Sequence, residues 1–337
     1  MRGTKAPPEL PAPMPPKTPT PPPPTLQAII KDLERWKKKH KPYDKLPRLS
    51  WFRFTIGADR QGILVRRKMI AGMPKRLFLT RHALNQLLNT LGYTMGLYKR
   101  LPNQLNVRNI NHLLQHRDYA RKKYRLRIID RNIVRAVLSE KYRPFDNLEL
   151  LKMLVPILGT VLVSWYFNDE IMIHAYLLAR RRLLFKPGDP VRRGLHLSNS
   201  EVGARSVTVT SYVHRESSDN GFIGTRVFRF KHVGTIRGLR NRILRAFARA
   251  KTGDDEIIGS LRNAQKEVIK NPRAFINKLA KTRRLNRKQV WATLRALPGK
   301  ADKPTSKFEL SQALAKAANS FDGDAAYKLR QAAVYAL

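Results

Sequence analysis

The stretch TRVFRFKHVGTIRGLRNRILRAFARAK, residues 225–251, contains the change of pattern that decides the fold. Residues 225–231 combine β-branched, aromatic and basic side chains in the way that a β-strand with two different faces requires. After His232 the apolar residues recur at helical spacing, which predicts an amphipathic helix over residues 236–251. Strand patterns dominate before this point and helical patterns after it. We therefore predict an α+β fold, a mostly antiparallel sheet in the middle with helices segregated to the C-terminal part.

Alternation and turn signals extend the strand prediction upstream. Residues 207–212 alternate strictly, and the turn-rich links 57–59 and 130–132 each predict a hairpin. Before residue 225, helices are predicted at 26–40, 81–91, 103–115 and 147–158. After it, helices are predicted at 236–251, 254–270, 272–281, 287–297, 307–319 and 323–337. Two of these begin with a capping-box pair, Asn286 with Gln289 and Ser306 with Glu309.

Composition divides the chain into four parts. Residues 1–25 are Pro-rich and are predicted to be a disordered tail, either a tether or a ligand for a partner's aromatic groove. Residues 26–49 are predicted to form a basic amphipathic helix and a linker. Residues 50–235 form the predicted sheet-rich α+β core, and residues 236–337 the helical part packed on it.

The charge is the strongest functional signal. The 337 residues carry 67 Lys+Arg against 24 Asp+Glu, a formal net charge of +43. Such an excess predicts a polyanionic partner, and nucleic acid is favoured over membrane because no segment resembles a lipid anchor or a secretory signal. The longest apolar run, 153–167, is shorter than the roughly 20 residues of a membrane-spanning helix. The chain has no cysteine, so disulfides and thiolate metal sites are excluded.

The basic residues are spread over several predicted strands and helices rather than confined to a tail. In the strand at 124–128, two arginines share one face while Leu126 and Ile128 share the other. Arginine binds phosphate bidentately and also stacks on bases. The predicted nucleic-acid contacts are Arg121, Lys122, Lys123, Arg125, Arg127, Arg180, Arg181, Arg182, Arg192, Arg193, Arg226, Arg229, Lys231, Arg237, Arg240 and Arg242.

Three aromatic residues lie among these cations and are candidates for base stacking: Tyr124, Phe228 and Phe230. Core packing is the alternative for the phenylalanines, and a solvated face is the alternative for the arginines. Residues 272–281 and 286–297 also fit a helix-turn-helix, with a plain helical hairpin as the alternative.

No catalytic pattern is recognisable. The chain lacks a P-loop and a dinucleotide-binding glycine motif. The histidines of the middle region, with Glu201, Glu216 and Asp219 near them in sequence, match no metal-ligand spacing. We therefore predict no catalytic residue, no metal and no cofactor, and keep a metal-dependent nuclease centred on His196 and Glu201 as an alternative.

Several short motifs resemble one family. Residues 135–142, RAVLSEKY, followed by 145–147, FDN, resemble the "RAvlS-x-x-Y-x-x-x-dN" segment of phage/plasmid-like proteins, a domain of unknown function in phages and plasmids. Residues 194–203, GLHLSNSEVG, resemble that family's "G-x-x-x-x-NSE-x-G" turn. Arg215, residues 220–221 and residues 232–234 resemble its "R-x-x-C-x-NG … H-x-G" stretch, although this chain lacks the cysteine. The likeness covers about residues 53–337 in scattered motifs.

The resemblance implies a mobile-element origin and one integrated α+β domain, without an activity. It also implies a structural or binding role at nine positions of this chain: Arg135, Ser139, Tyr142, Asn147, Asn199, Glu201, Asn220, Gly221 and His232. The Pro-rich tail and the basicity depart from the usual member of the family.

With the charge, the resemblance predicts a phage- or plasmid-encoded nucleic-acid-binding protein of a bacterial cytoplasm. It would bind single-stranded DNA in replication, recombination or annealing. The alternatives are an RNA-binding regulator, the nuclease and a structural genome-condensing protein. An oligomer and a protein partner for the tail are left open.

Overall fold

The computed structural model describes residues 25–158, 161–169, 171–186, 188–250, 254–299 and 301–337. It contains 46% helix and 28% strand, with antiparallel sheets and with helices in the C-terminal part, which confirms the α+β class. All but the last residue of the Pro-rich tail lies outside the described residues. Among the described residues, no helix is both long and apolar enough to cross a membrane.

The strands of the sheet-rich region form two sheets rather than one. The first sheet has the order β1-β5-β6-β4-β3-β2 and contains β1 (Tyr43–Lys45), β2 (Phe52–Ile56), β3 (Gly62–Arg66), β4 (Arg76–Leu79), β5 (Tyr124–Ile129) and β6 (Ile133–Ser139). The helices of this half of the chain are α1 (Leu26–His40), α2 (Arg81–Thr90), α3 (Met95–Arg100), α4 (Asn103–Gln115) and α5 (Arg117–Ala120). The segment predicted as a linker, 41–49, therefore contributes an edge strand, β1.

Both predicted hairpins are present in the first sheet. β2 pairs with β3 and β5 pairs with β6, each antiparallel. The second turn has Asp130 at φ 47° and Arg131 at φ 67°, the left-handed backbone of the tight turns that match strand twist. This turn is also where α1 meets the sheet, since His40 Nδ1 lies 2.9 Å from the Asp130 carboxylate.

The second sheet is an antiparallel meander of five strands in the order β11-β10-β9-β8-β7. Its strands are β7 (Leu162–Asn168), β8 (Ile173–Lys186), β9 (Asp189–Asn199), β10 (Val207–Arg215) and β11 (Asn220–Phe230). Two further helices flank it, α6 (Asn147–Leu158) and α7 (Ile236–Ala250). The long strands alternate in side-chain direction, so each face of the sheet is covered by different helices.

One face of the second sheet forms the main core with α1, α6 and α7. Ala175, Leu197 and Val209 from the sheet pack there against Leu33 of α1 and Phe247 of α7. The opposite face carries buried polar aromatics, and Tyr176 and Tyr212 pack against Tyr327.

The C-terminal helices form a third core against the far ends of the strands of the second sheet. They are α8 (Asp254–Asn263), α9 (Pro272–Arg283), α10 (Arg287–Ala296), α11 (Lys307–Ala318) and α12 (Gly323–Tyr335), with a two-stranded ladder of β12 (Val268–Ile269) and β13 (Thr305–Ser306). Both predicted capping boxes are confirmed. The helix predicted over 254–270 is too long, because Val268 and Ile269 pair with β13 instead.

Candidate nucleic-acid interface

The two arginines of β5 do not face solvent, which corrects the prediction that they bind phosphate. Leu126 and Ile128 point, as expected, into the core that the first sheet forms with α2 and α4, which we call the first core. Arg127 is only 6% exposed, and its Nε and Nη2 donate to Asp44 at 3.1 Å and Asp146 at 2.6 Å. Burial alone would lower the pKa of Arg127, but Asp146, Asp44 and Glu201 raise it above its usual value. Arg125 likewise lies 3.4 Å from Asp44. These charges are already neutralised within the protein.

Glu201 is the centre of the polar contacts that join the two sheets. Its Oε2 accepts a hydrogen bond from Arg135 Nη1 at 3.1 Å, and its Oε1 accepts one from the Asn147 backbone N–H at 2.8 Å. Arg127 Nη1 donates to the Glu201 carbonyl at 2.8 Å. The Glu201 side chain is 11% exposed, so the carboxylate is paired and hydrogen-bonded as a buried charge requires.

The other motif residues near Glu201 complete the same junction. Asn199 Nδ2 donates to Asn147 Oδ1 at 2.9 Å, and the Tyr142 hydroxyl lies 3.1 Å from the Glu201 carbonyl. The ring of Tyr142 stacks on His232 with 4.9 Å between centroids. Six of the nine motif positions therefore meet in one buried network that connects β6, α6 and the turn after β9.

The remaining three motif positions lie elsewhere. Ser139 is exposed at the end of β6. Asn220 starts β11 and its Nδ2 donates to Gln312 of α11. A Cβ at Gly221 would lie 2.2 Å from the buried Tyr212 hydroxyl, so this position requires a glycine for close packing.

Because His232 is buried in the junction, we expect the protein to lose stability in acid. Burial lowers the pKa of His232 to about 4, with the Arg143 carbonyl opposing and the Arg127 charge adding to the shift, while Asp146 opposes it. Between about pH 6.5 and 4 the unfolded chain therefore binds a proton that the native state does not. The free energy of unfolding should fall through this window as the pH falls, by about 3 kcal/mol from this residue.

Urea unfolding of the wild type and His232→Phe across this pH window measures the effect. The phenyl ring preserves the stack on Tyr142, and near pH 8 the two proteins differ mainly by the lost contact with the Arg143 carbonyl, 3.3 Å from Nδ1. The pH dependence of the variant should be shallower. Parallel curves would show that His232 does not carry the dependence.

Some of the cations of β8 and β9 form ion pairs within the protein. Arg192 and Arg182 both pair with Glu216, and Arg193 pairs with Asp255. Arg182 remains 63% exposed in its side chain, whereas Arg192 is 12% exposed. Arg180 is exposed, and the side chain of Arg181 lies outside the described residues.

The aromatic candidates for base stacking pack into the protein. Phe228 and Phe230 are half-buried against the main core, and Tyr124 is half-buried against the first core. The alternative of core packing is the better account of the two phenylalanines, and Tyr124 is packed in the same way. The neighbouring cations Arg226, Arg229 and Lys231 are exposed, and so are Arg121, Lys122 and Lys123 before β5.

The helices over the main core present the densest basic surface, which we call the basic helical layer and define as α1, α6 and α7. These three helices contain eleven Lys and Arg residues and three Asp and Glu residues. Every one of these acids is paired within the layer: Asp32 with Arg35, Glu34 with Lys152, and Glu149 with Arg240. The last two pairs connect α6 to α1 and to α7.

Most of the other cations of the layer are exposed and lie outside these pairs. Seven exposed side chains make no ion pair among the described residues: Lys31, Lys37, Lys38, Lys39, Arg237, Arg242 and Arg245. Their apolar neighbours on the same helices, such as Leu33 and Phe247, are buried, so the cations face outwards. The geometry matches a surface that holds a phosphate chain. Of the predicted contacts, Arg237, Arg240 and Arg242 belong to this layer.

A second basic site escaped the sequence reasoning. A groove of about 700 Å³ lies between β2 and α4, and its walls carry Arg53, Arg67, Arg108, His112, Asn103 and Gln104. None of the groove-lining residues is acidic. The available signal was the outward position of Arg53 in the alternating strand 52–56, opposite the buried Phe52 and Phe54.

His196, the histidine considered for a nuclease, is enclosed together with His174. His174 and His196 are both 0% exposed, and their Nδ1 and Nε2 atoms lie 3.0 Å apart. Burial, followed by the neighbouring His174, lowers the pKa of His196 well below its usual value. With Glu201 bound to Arg135, neither residue proposed for cleavage is accessible to a polynucleotide. Within the described ranges, no three His, Asp or Glu side chains are grouped as a metal site would need.

Comparison with known proteins returned no match, whether to a protein-family model, to a curated protein or to a solved structure. The resemblance to phage/plasmid-like proteins therefore stays a prediction carried by the motifs alone.

Proposed function

We propose that this protein binds nucleic acid through its basic helical layer and is not an enzyme. The observation that carries the proposal is the charge pattern of α1, α6 and α7, in which every carboxylate is paired and seven exposed cations remain. Releasing the counterions of a phosphate chain would supply the free energy of binding. The layer is rigid, since its apolar side chains are part of the main core.

Single-stranded DNA is the proposed ligand, in the replication, recombination or annealing of a phage or plasmid within a bacterial cytoplasm. The layer would bind phosphates, and its half-buried Trp36 is already in contact with Arg135 and His40, so we expect weak dependence on base sequence. Arg226 on the adjoining strand and Arg182 are exposed near the same sheet and would extend the contact.

Fluorescence anisotropy with single- and double-stranded oligonucleotides of equal length tests the proposal. Seven contacts imply a slope of log K against log salt of about −5 for a single strand, a loss of about 1,000-fold between about 50 and 200 mM salt. Absent or salt-independent binding would refute the proposal.

The same assay separates the alternatives. Tighter binding of RNA than of DNA would favour the regulator, because the 2′-hydroxyl must then contribute. Equal binding of both DNA forms at a fixed stoichiometry would favour genome condensation. Cleavage in the presence of Mg²⁺ or Mn²⁺ that disappears in His196→Ala would favour the nuclease.

A further inference from the structure

Hydrogen bonds between α4 and the segment around β2 fix the position of the groove walls. These bonds do not involve the side chains of the arginines that line the groove. Asn111 of α4 accepts from the Phe54 N–H and donates to the Phe54 carbonyl, both at 2.8 Å, and so covers the edge strand β2. Gln115 Nε2 donates to the Ser50 carbonyl at 3.1 Å one turn further on. These contacts hold α4 beside the sheet and determine the width of the groove.

The positive charge of the groove is not balanced by any acidic residue in its lining. Arg53, Arg67 and Arg108 are exposed, and none of them makes an ion pair within the described part of the chain. Exposed amides at Asn103 and Gln104 add donors and acceptors at one end. Three guanidinium groups facing one concave space repel each other unless an anion lies between them.

The groove is separate from the basic helical layer. α1 meets the first sheet at β6 and the β5–β6 turn, where Trp36 lies over Arg135 and His40 lies 2.9 Å from Asp130. The groove is at the edge strand β2, and three interstrand spacings of about 4.8 Å separate β6 from β2, about 14 Å in all. That separation is nearly twice the Debye length of about 8 Å at physiological ionic strength, so the two surfaces attract phosphate largely independently.

From these observations we infer that the groove is a second phosphate-backbone site and that one protein molecule holds two segments of nucleic acid at once. The inference rests on the proposed function, since it requires the layer to bind the first segment. Arg53, Arg67 and Arg108 contact the phosphates of the second segment, and the amides of Asn103 and Gln104 lie beside its sugars or bases.

A capture assay tests the second site. An oligothymidine immobilised on beads is saturated with protein and washed, and a fluorescent oligothymidine of the same length is then offered. Because the two strands cannot pair, capture reports a protein bridge. The wild type should retain the second strand. The triple variant Arg53→Gln, Arg67→Gln, Arg108→Gln should bind the immobilised strand nearly as the wild type does. Its retention of the second strand should fall by about ten-fold or more.

Controls keep the inference separate from the proposed function. The variant Lys278→Gln, Lys281→Gln, Lys316→Gln removes the same charge from exposed positions of α9 and α11 and should capture normally. The substituted arginines are exposed, so thermal unfolding should be unchanged, and Arg108→Gln alone provides a milder test. No binding to the first strand by the wild type refutes the proposed function. Binding without capture, or equal capture by the groove variant, overturns the second site.

Discussion

Replacing Glu201 by alanine should lower the free energy of unfolding by about 3–5 kcal/mol, a large fraction of the stability of an ordinary domain. Arg135 and Arg127 would then remain in a region where their side chains are only about one tenth exposed, and Arg135 would lose its carboxylate partner at 3.1 Å. The Asn147 N–H would lose its acceptor as well. Glu201→Gln should also destabilise, because its amide would place an N–H₂ group against the Arg135 guanidinium or against the Asn147 N–H.

Urea unfolding measures the loss, and a double-mutant cycle assigns it. Arg135→Met with Glu201→Gln removes both charges, so the double variant should be more stable than the sum of the two single losses implies. Glu267→Gln is the matched control, since its pair with Lys307 is half-exposed and should cost below about 1 kcal/mol. A loss below that level in Glu201→Ala, or strictly additive losses, would mean that the junction does not hold the two sheets together.

The same variants test whether the motif residues are structural. If Glu201 belongs to a junction and not to a binding surface, the folded fraction of Glu201→Gln should bind oligonucleotides with unchanged affinity. A binding defect without a stability defect would reverse this assignment. The resemblance to phage/plasmid-like proteins left both roles open for these positions.

Local patterns were sufficient for much of the fold. The strand-to-helix change after Lys231 and the two hairpins follow from side-chain period and turn chemistry, and the structure contains them. Two sheets in place of one could not be predicted, because the partner of a strand depends on contacts between distant segments. β12 and β13 show the same limit, since their pairing joins residues that lie 36 positions apart or more.

At the candidate site, residue patterns predicted the direction of side chains but not their tertiary contacts. Alternation placed Arg125 and Arg127 correctly on the face opposite Leu126 and Ile128. It could not show that a turn 74 residues later in sequence covers that face and binds Arg127. Arg53 is the converse case, because its outward position was readable but the groove it shares with α4 was not.

Removing three arginines from α7 should weaken nucleic-acid binding by about 100- to 500-fold at about 0.1 M salt. The variant Arg237→Gln, Arg242→Gln, Arg245→Gln takes away three exposed cations that make no ion pair among the described residues. Each phosphate contact contributes about 0.7–0.9 to the salt slope, so the slope should become shallower by about 2–3. The buried face of α7, with Leu239, Ile243 and Phe247, is untouched, so the stability should hardly change.

A matched control variant separates the effect of where the charge is lost from the effect of how much charge is lost. The variant Lys278→Gln, Lys281→Gln, Lys316→Gln lowers the net charge equally but acts on α9 and α11, away from the layer. If binding were a diffuse effect of the +43 net charge, both triple variants would weaken it to the same extent. If the layer holds the phosphate chain, the α7 variant alone should lose affinity and salt slope together. Equal losses in anisotropy titrations would mean that the cations act through the overall field of the protein and that no single surface is the binding site.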